Sequence, residues 1–301
     1  IVRAMAKLRS VTLVNYRRFA GEIELPLDPG VNLVVVPYGM GKTSVLEAIS
    51  WCLLGNDMVA DPALVPNREA LGTGMTKVLV ALTFINGERL ERYALFSLAE
   101  DRAERQRWGW RLTGSNGEVL AEGDDAEAFS EQAERLFPEA CVHAGLISGS
   151  SLAGVARGGT CGPERAIRCS GSWCTSDLSI RCSFAATSLF LEMCPSAQIG
   201  TLGYDPEGRP EISVEGPLSP EQVRMAVLSH AIAFAGEGAV VCPIFLDDPL
   251  EGAGSIERGG LFSAMLDFLR KRQVVLLLSD PADIDALRAT GRVDKELEIR
   301  G

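Results

Sequence analysis

The residues best suited to chemistry sit in one short run, Pro37-Tyr38-Gly39-Met40-Gly41-Lys42-Thr43-Ser44. Glycines let backbone N–H groups wrap a phosphate without Cβ clashes, a lysine reaches the β- and γ-phosphates, and a Ser/Thr hydroxyl holds magnesium. Gly39, Gly41, Lys42 and Thr43 supply these parts, and a following helix would add the positive end of its dipole. Val36 stands where the pattern G-x-x-x-x-G-K-[ST] has its first glycine, a position that shapes the approach to the loop more than it meets charge. The spacing implies a nucleoside triphosphate, ATP or GTP, bound through Pro37–Ser44.

An acidic pair completes such a site. Asp247 closes the apolar run Val240–Leu246, where a carboxylate can order the water shell of Mg2+ together with Thr43. Asp248 follows and is placed to hold an attacking water, although Asp-Asp before Pro249 also reads as a polar turn. Asp is one methylene shorter than Glu, so hydrolysis at such a site is expected to be slow. The catalytic set is therefore Lys42, Asp247 and Asp248.

The flanking sequence supplies the elements that must hold these groups. Leu8–Phe19 reads as a strand ending in a basic turn, Ile23–Leu27 as a second strand, and Val31–Val36 as a buried parallel strand. Ser44–Leu54 has Val45, Leu46, Ile49 and Leu53 at helical spacing and stops at Gly55. Strand, glycine loop and helix thus follow in the order a phosphate loop needs. Asn86-Gly87 and Asn116-Gly117 each predict a hairpin, and Asp125–Phe137 an amphipathic helix. Residues 145–195 are rich in Gly, Ser and Cys, repeat Ile-Arg-Cys-Ser at 167–170 and 180–183, and predict no regular structure. Order returns with two short strands in Ile199–Val214, a helix opened by Ser219 and Gln222, a strand at Val274–Leu278 and a last helix at Pro281–Arg288.

Composition bounds the partners. The 301 residues are 47% hydrophobic and 23% charged, ordinary for a globular chain, and the net charge of −11 repels nucleic acid except at a local basic patch. One such patch is Arg102, Arg105, Arg107 and Arg111 with Trp108 and Trp110, equally readable as a solvated hairpin edge. No apolar run is long enough to span a membrane and no signal peptide is seen, so a cytoplasmic location is expected. The chain opens on Ile1 with a methionine at position 5, the pattern of a fragment or shifted start. Eight cysteines form no C-x-x-C pair, which weakens a zinc site, and disulfides are not expected in the cytosol.

Together these motifs resemble the SMC/RecF/RecN/SbcC-like branch of ABC-type ATPases, which act in chromosome maintenance and double-strand-break repair. The resemblance is carried by Asn15-Tyr16-Arg17, the phosphate loop and Glu47-Ala48-Ile49, with Leu218-Ser219-Pro220-Glu221-Gln222 at the place of the Leu-Ser-Gly-Gly signature. Leu218 precedes Asp247 by 29 positions, similar to the family's signature-to-acid gap. It implies an α/β P-loop head with a mixed sheet around the loop helix and an antiparallel β subdomain. Its halves would lie at 1–144 and 199–301, around an irregular Cys/Gly/Ser-rich insertion at 145–198. It further implies that Arg17 touches a nucleotide phosphate, and that Ser219 caps the γ-phosphate of ATP held by a second copy. A protein partner subunit and action in repair, recombination, chromosome maintenance or anti-phage defence are also implied.

Departures from the family pattern point toward binding rather than turnover. Pro220 and Glu221 replace signature glycines, no glutamine marks Leu146–Ser150, Ser279-Asp280 falls where a switch histidine is expected, and Gly254 where an aspartate is. No heptad pattern provides a coiled coil. The reading that follows is an ATP-hydrolysing head that dimerises on ATP. The alternative is a hydrolysis-poor switch or scaffold for a protein partner; a transporter ATPase fits the Asn15-Tyr16-Arg17 opening less well.

Overall fold

A computed structural model describes residues 7–55, 62–72, 74–139, 142, 145–148, 176–197, 199–204, 210–214, 218–237, 241–251, 253–254 and 257–299. The chain divides into two compact units, one of residues 6–29, 36–139 and 299–301, the other of 1–5, 30–35 and 140–298.

The first unit is built on a six-stranded antiparallel sheet, β1 (Leu8–Val14), β2 (Glu22–Pro26), β4 (Thr76–Phe84), β5 (Arg89–Ala99), β6 (Arg102–Thr113) and β7 (Val119–Gly123), in the order β2-β1-β4-β5-β6-β7. Both expected Asn-Gly hairpins are present. Gly87 and Gly117 take φ of 87° and 81°, the left-handed conformation these turns require. Asn86 and Asn116 each accept a hydrogen bond from the backbone N–H two residues on, at 3.1 Å. Helix α1 (Lys42–Leu54) packs on β4, and α2 (Ala126–Leu136) carries Phe129, Ala133 and Leu136 inward. Asp125 caps α2 by accepting from Ala128 N at 2.8 Å.

Period-two alternation on β5 turns Leu90, Arg92, Ala94 and Phe96 inward. The buried Arg92 guanidinium lies over the rings of Trp51, Trp108 and Phe129 at 5.5, 4.8 and 4.7 Å, joining α1, β6 and α2.

The second unit holds a five-stranded sheet of β3 (Val31–Val35), β8 (Leu146–Ser148), β11 (Ile244–Asp247), β12 (Val274–Leu278) and β13 (Lys295–Glu298), in the order β13-β3-β12-β11-β8. Every pairing is parallel, so the mixed sheet expected around the loop is a purely parallel one among the described strands. All residues of β11 and β12 are buried, which is why both read as unbroken apolar runs. Helices α3 (Ser176–Met193), α4 (Pro220–Glu237), α5 (Arg258–Phe268) and α6 (Pro281–Ala289) complete the unit, with a hairpin of β9 (Ile199–Tyr204) and β10 (Pro210–Val214). Ala186, Leu189 and Phe190 of α3 share one core with Leu228, Ile232, Phe262 and Met265.

Three elements depart from the sequence expectations. Ser176–Met193 is an 18-residue helix inside the stretch read as irregular. β8 and β13 are additional short edge strands, of three and four residues. Residues 30–35 belong to the same unit as the C-terminal part of the chain.

Candidate functional site

The glycine loop belongs to the first unit. Met40 N donates to Pro37 O at 3.0 Å, and Gly39 and Gly41 take φ of 80° and 100°. Gly41 is required for a second reason: a Cβ there would lie 3.0 Å from Arg18 Cβ and 3.1 Å from Phe19 Cζ. No side chain caps α1 and no acid occupies its first turn, so its N-terminus keeps the electropositive character an anion seeks. Pro37, Tyr38, Gly39 and Thr43 are exposed, Met40 and Lys42 are half-buried, and Ser44 and Val36 are buried.

The Asn15-Tyr16-Arg17 turn is organised around the same helix. Asn15 and Arg17 both adopt positive φ, 52° and 48°. Asn15 Oδ1 accepts from Gly21 N at 2.9 Å and its Nδ2 donates to Lys77 O at 3.1 Å. Tyr16 is fully buried, 5.8 Å from the Trp51 ring, and burial pushes its phenol well above the ordinary range. Arg17 pairs with Glu47 of α1 at 2.6 Å, so the residue expected on a phosphate is engaged by a carboxylate. Asn67, which the sequence reading missed, donates to Arg17 O at 2.7 Å while its own oxygen accepts from Glu69 N and Ala70 N.

The acids belong to the second unit. Asp247 is 4% exposed at the end of β11, opposite Leu277 of β12, which in turn lies opposite Val34 of β3. The acid is therefore level with the last residues of the strand from which the chain runs into the glycine loop. Ser148 of β8 pairs with Asp247 on the other side; Gly149 and Ser150, the rest of the stretch searched for a glutamine, lie outside the described residues.

Asp248 has φ of 41°, and its N–H donates to Leu277 O at 3.0 Å. Both oxygens of its carboxylate accept from Ser279, one from the backbone N–H at 3.1 Å and one from the hydroxyl at 3.0 Å. Asp280, the other residue at the expected histidine position, caps α6 and pairs with Arg258 at 3.0 Å. Arg258 also reaches Asp283 at 3.1 Å. Burial pushes the Asp283 carboxyl up to about 6 despite this cation.

Ser219 forms the capping box that its spacing implied: its N–H donates to Gln222 Oε1 at 2.9 Å, and its Oγ accepts from Gln222 N at 3.2 Å. Arg102, Arg105, Arg107 and Arg111 are exposed on β6, with Arg111 paired to Glu122 at 2.9 Å. The two tryptophans do not join them. Trp110 is buried and donates to Asp125 O, while Trp108 faces Arg92. Among the described residues no group of three His, Cys, Asp or Glu stands together as a metal site, and no helix is long and apolar enough to cross a membrane. Cys52 and Cys194 are buried free thiols and Cys182 is buried, whereas Cys242 is disulfide-bonded, contrary to the expectation for the cysteines.

Comparison with known proteins relates the fold to SMC head domains and parts of the sequence to an AAA domain, Smc and RecF. Residues 10–129 match an AAA domain family. Segments of the chain are similar to the chromosome partition protein Smc of Desulfitobacterium hafniense, 41% identical over 46 residues, and to the DNA replication and repair protein RecF of Streptomyces avermitilis, 41% identical over 54. These matches cover 15% and 18% of this chain but only 4% and 14% of those relatives' length. The fold matches an SMC head bound to the C-winged helix domain of ScpA, with TM-score 0.67, 13% identity and coverage of 98% of this chain and 95% of that one. It also matches the SMC head domain from Thermotoga maritima, with TM-score 0.56, 13% identity and coverage of 98% and 95%. The chain has the fold of an SMC head domain.

Proposed function

We propose that this head binds Mg–ATP and uses it to control pairing with a second copy. Backbone N–H groups of Pro37–Ser44 and Lys42 would hold the phosphates, and Thr43 and Asp247 the magnesium. The observation that carries this reading is the register of Asp247 with Val34 in one parallel sheet, just before the chain enters a loop with two left-handed glycines and an uncapped helix. The donor set fits the group: a lysine, a hydroxyl and a buried carboxylate are the usual partners of a triphosphate and its hard cation. Bound magnesium would neutralise phosphate charge. Arg17 joins the phosphates only by exchanging its bond to Glu47, and Ser219 would meet the γ-phosphate of the second copy.

The Asp248–Ser279 pairing favours slow turnover, because a carboxylate with both oxygens engaged holds water poorly. ATP then acts mainly as a switch. The names of similar proteins support a role with DNA, which the exposed β6 arginines would meet, and with a protein subunit, in chromosome maintenance, repair or anti-phage defence. ATP turnover with and without DNA, against Lys42→Ala, tests the reading. Slow turnover above that control supports it, and turnover equal to the control leaves binding without hydrolysis. Absence of nucleotide binding refutes it.

A further inference from the structure

We infer that the cleft beside the β5–β6 turn is a docking site for a protein partner's extended segment, one that carries a large apolar side chain next to a carboxylate. The inference stands apart from the nucleotide reading above. The cleft measures about 280 Å³, and Leu64, Leu71, Leu98 and Ala103 line it together with two arginines, Arg68 and Arg102. Leu64 and Leu98 are 49% and 47% exposed, which leaves apolar surface for another molecule to cover. Arg68 is exposed and, among the described residues, has no ion-pair partner. A guanidinium beside uncovered leucines is complementary to a carboxylate beside an apolar side chain.

The backbone around the cleft is built to present these groups. Glu100 and Asp101 take φ of 49° and 64° in the turn between the paired residues Ala99 and Arg102, whereas the other two hairpins of this sheet place Gly87 and Gly117 in the left-handed region. Side chains are kept in this turn at a conformational cost, and it delivers Asp101 and Arg102 to the cleft. The segment that presents Leu64, Arg68 and Leu71 is tied down as well. Arg17 N donates to Val65 O at 2.9 Å, Asn67 N to Asn15 O at 2.8 Å, and Thr76 Oγ1 to Ala70 O at 2.9 Å. A surface ordered in advance loses little freedom when it is covered. The volume falls below the roughly 300–1,000 Å³ of pockets that enclose a small molecule, and it suits a side chain and its neighbour on an extended segment. A nucleic-acid backbone would satisfy the arginines but leave the leucines uncovered, and Asp101 would repel it.

The test pans a phage-displayed library of random short peptides against the whole chain. The selected peptide, labelled with fluorescein, is then titrated into wild type, Arg68→Glu, Leu98→Ser and Leu64→Ser. Selected sequences are expected to share a large apolar residue beside Asp or Glu. Affinity should fall by at least about tenfold in Arg68→Glu and in Leu98→Ser, and wild-type binding should weaken as salt rises. The substituted side chains are all exposed, so thermal unfolding should be unchanged, and Leu64→Ser gives a second apolar reading should Leu98→Ser misfold. The inference is overturned if no peptide is selected, or if the selected peptide binds every folded variant as it binds the wild type. It is also overturned if a DNA duplex displaces the peptide and binds with dependence on Arg68 but not on Leu98, which would give the cleft to nucleic acid. None of these outcomes bears on nucleotide binding at Lys42, so the two readings stand or fall separately.

Discussion

Asp248 gives both oxygens of its carboxylate to one residue, Ser279, which lies just past the end of the neighbouring strand and meets them with its backbone N–H and its hydroxyl. The two are 31 positions apart and carry no local pattern that would pair them. The contact accompanies a left-handed turn at Asp248, whose φ is 41°.

Asp248→Ala is therefore expected to act first on stability. It leaves the Ser279 N–H short of an acceptor, at a cost of about 1–3 kcal/mol. Asp248→Asn should lower ATP turnover by less than about tenfold, far below the loss expected for a true catalytic base. Chemical denaturation and steady-state turnover of both variants check this.

Gly41→Ala and Gly39→Ala separate strain from crowding. Both positions have positive φ, but an added Cβ is blocked only at Gly41. Gly39→Ala should cost about 1 kcal/mol, and Gly41→Ala roughly 2–3 kcal/mol together with most of the nucleotide affinity. Thermal unfolding and nucleotide titration distinguish the two.

Asp283 sets a pH dependence whose sign follows from its raised pKa. Its folded value is pushed to about 6 from an ordinary 3.8, so its stabilising effect is full below about pH 4 and is lost as pH rises through 6. Between about pH 4 and 6.5 the second unit should weaken by on the order of 2–3 kcal/mol, and Asp283→Asn should flatten that slope. Denaturant midpoints across this window provide the measurement.

Arg92→Ala removes a buried cation stacked on three aromatic rings and should cost about 3 kcal/mol or more. Arg92→Lys should recover little, because an ammonium lacks the flat face that stacks on Trp51, Trp108 and Phe129. Urea unfolding of the pair tests it.

What could be read from the sequence was local. The glycine loop, the Asn-Gly turns, the Asp125 cap and the Ser219–Gln222 box each depend on residues a few positions apart, and each stands in the structure. Arg92 was also within reach, since it lies in phase with Leu90, Ala94 and Phe96 and so must point inward. The α3 helix was obscured by its serines and cysteines, although Cys182, Ala186, Leu189, Phe190 and Met193 follow helical spacing. β8 and β13 offered too little: three residues in one and alternating charges in the other. The Asp248–Ser279 and Arg17–Glu47 pairs are tertiary, and no spacing in the chain announces them.

The central claim is tested most directly by calorimetric titration of ATP into the wild type, Lys42→Ala and Asp247→Asn, each with and without magnesium. Saturable binding by the wild type is expected, with a loss of at least about tenfold in Lys42→Ala and a loss confined to the magnesium-dependent part in Asp247→Asn. Affinity that is absent in the wild type, or unchanged when Lys42 is removed, would contradict the account.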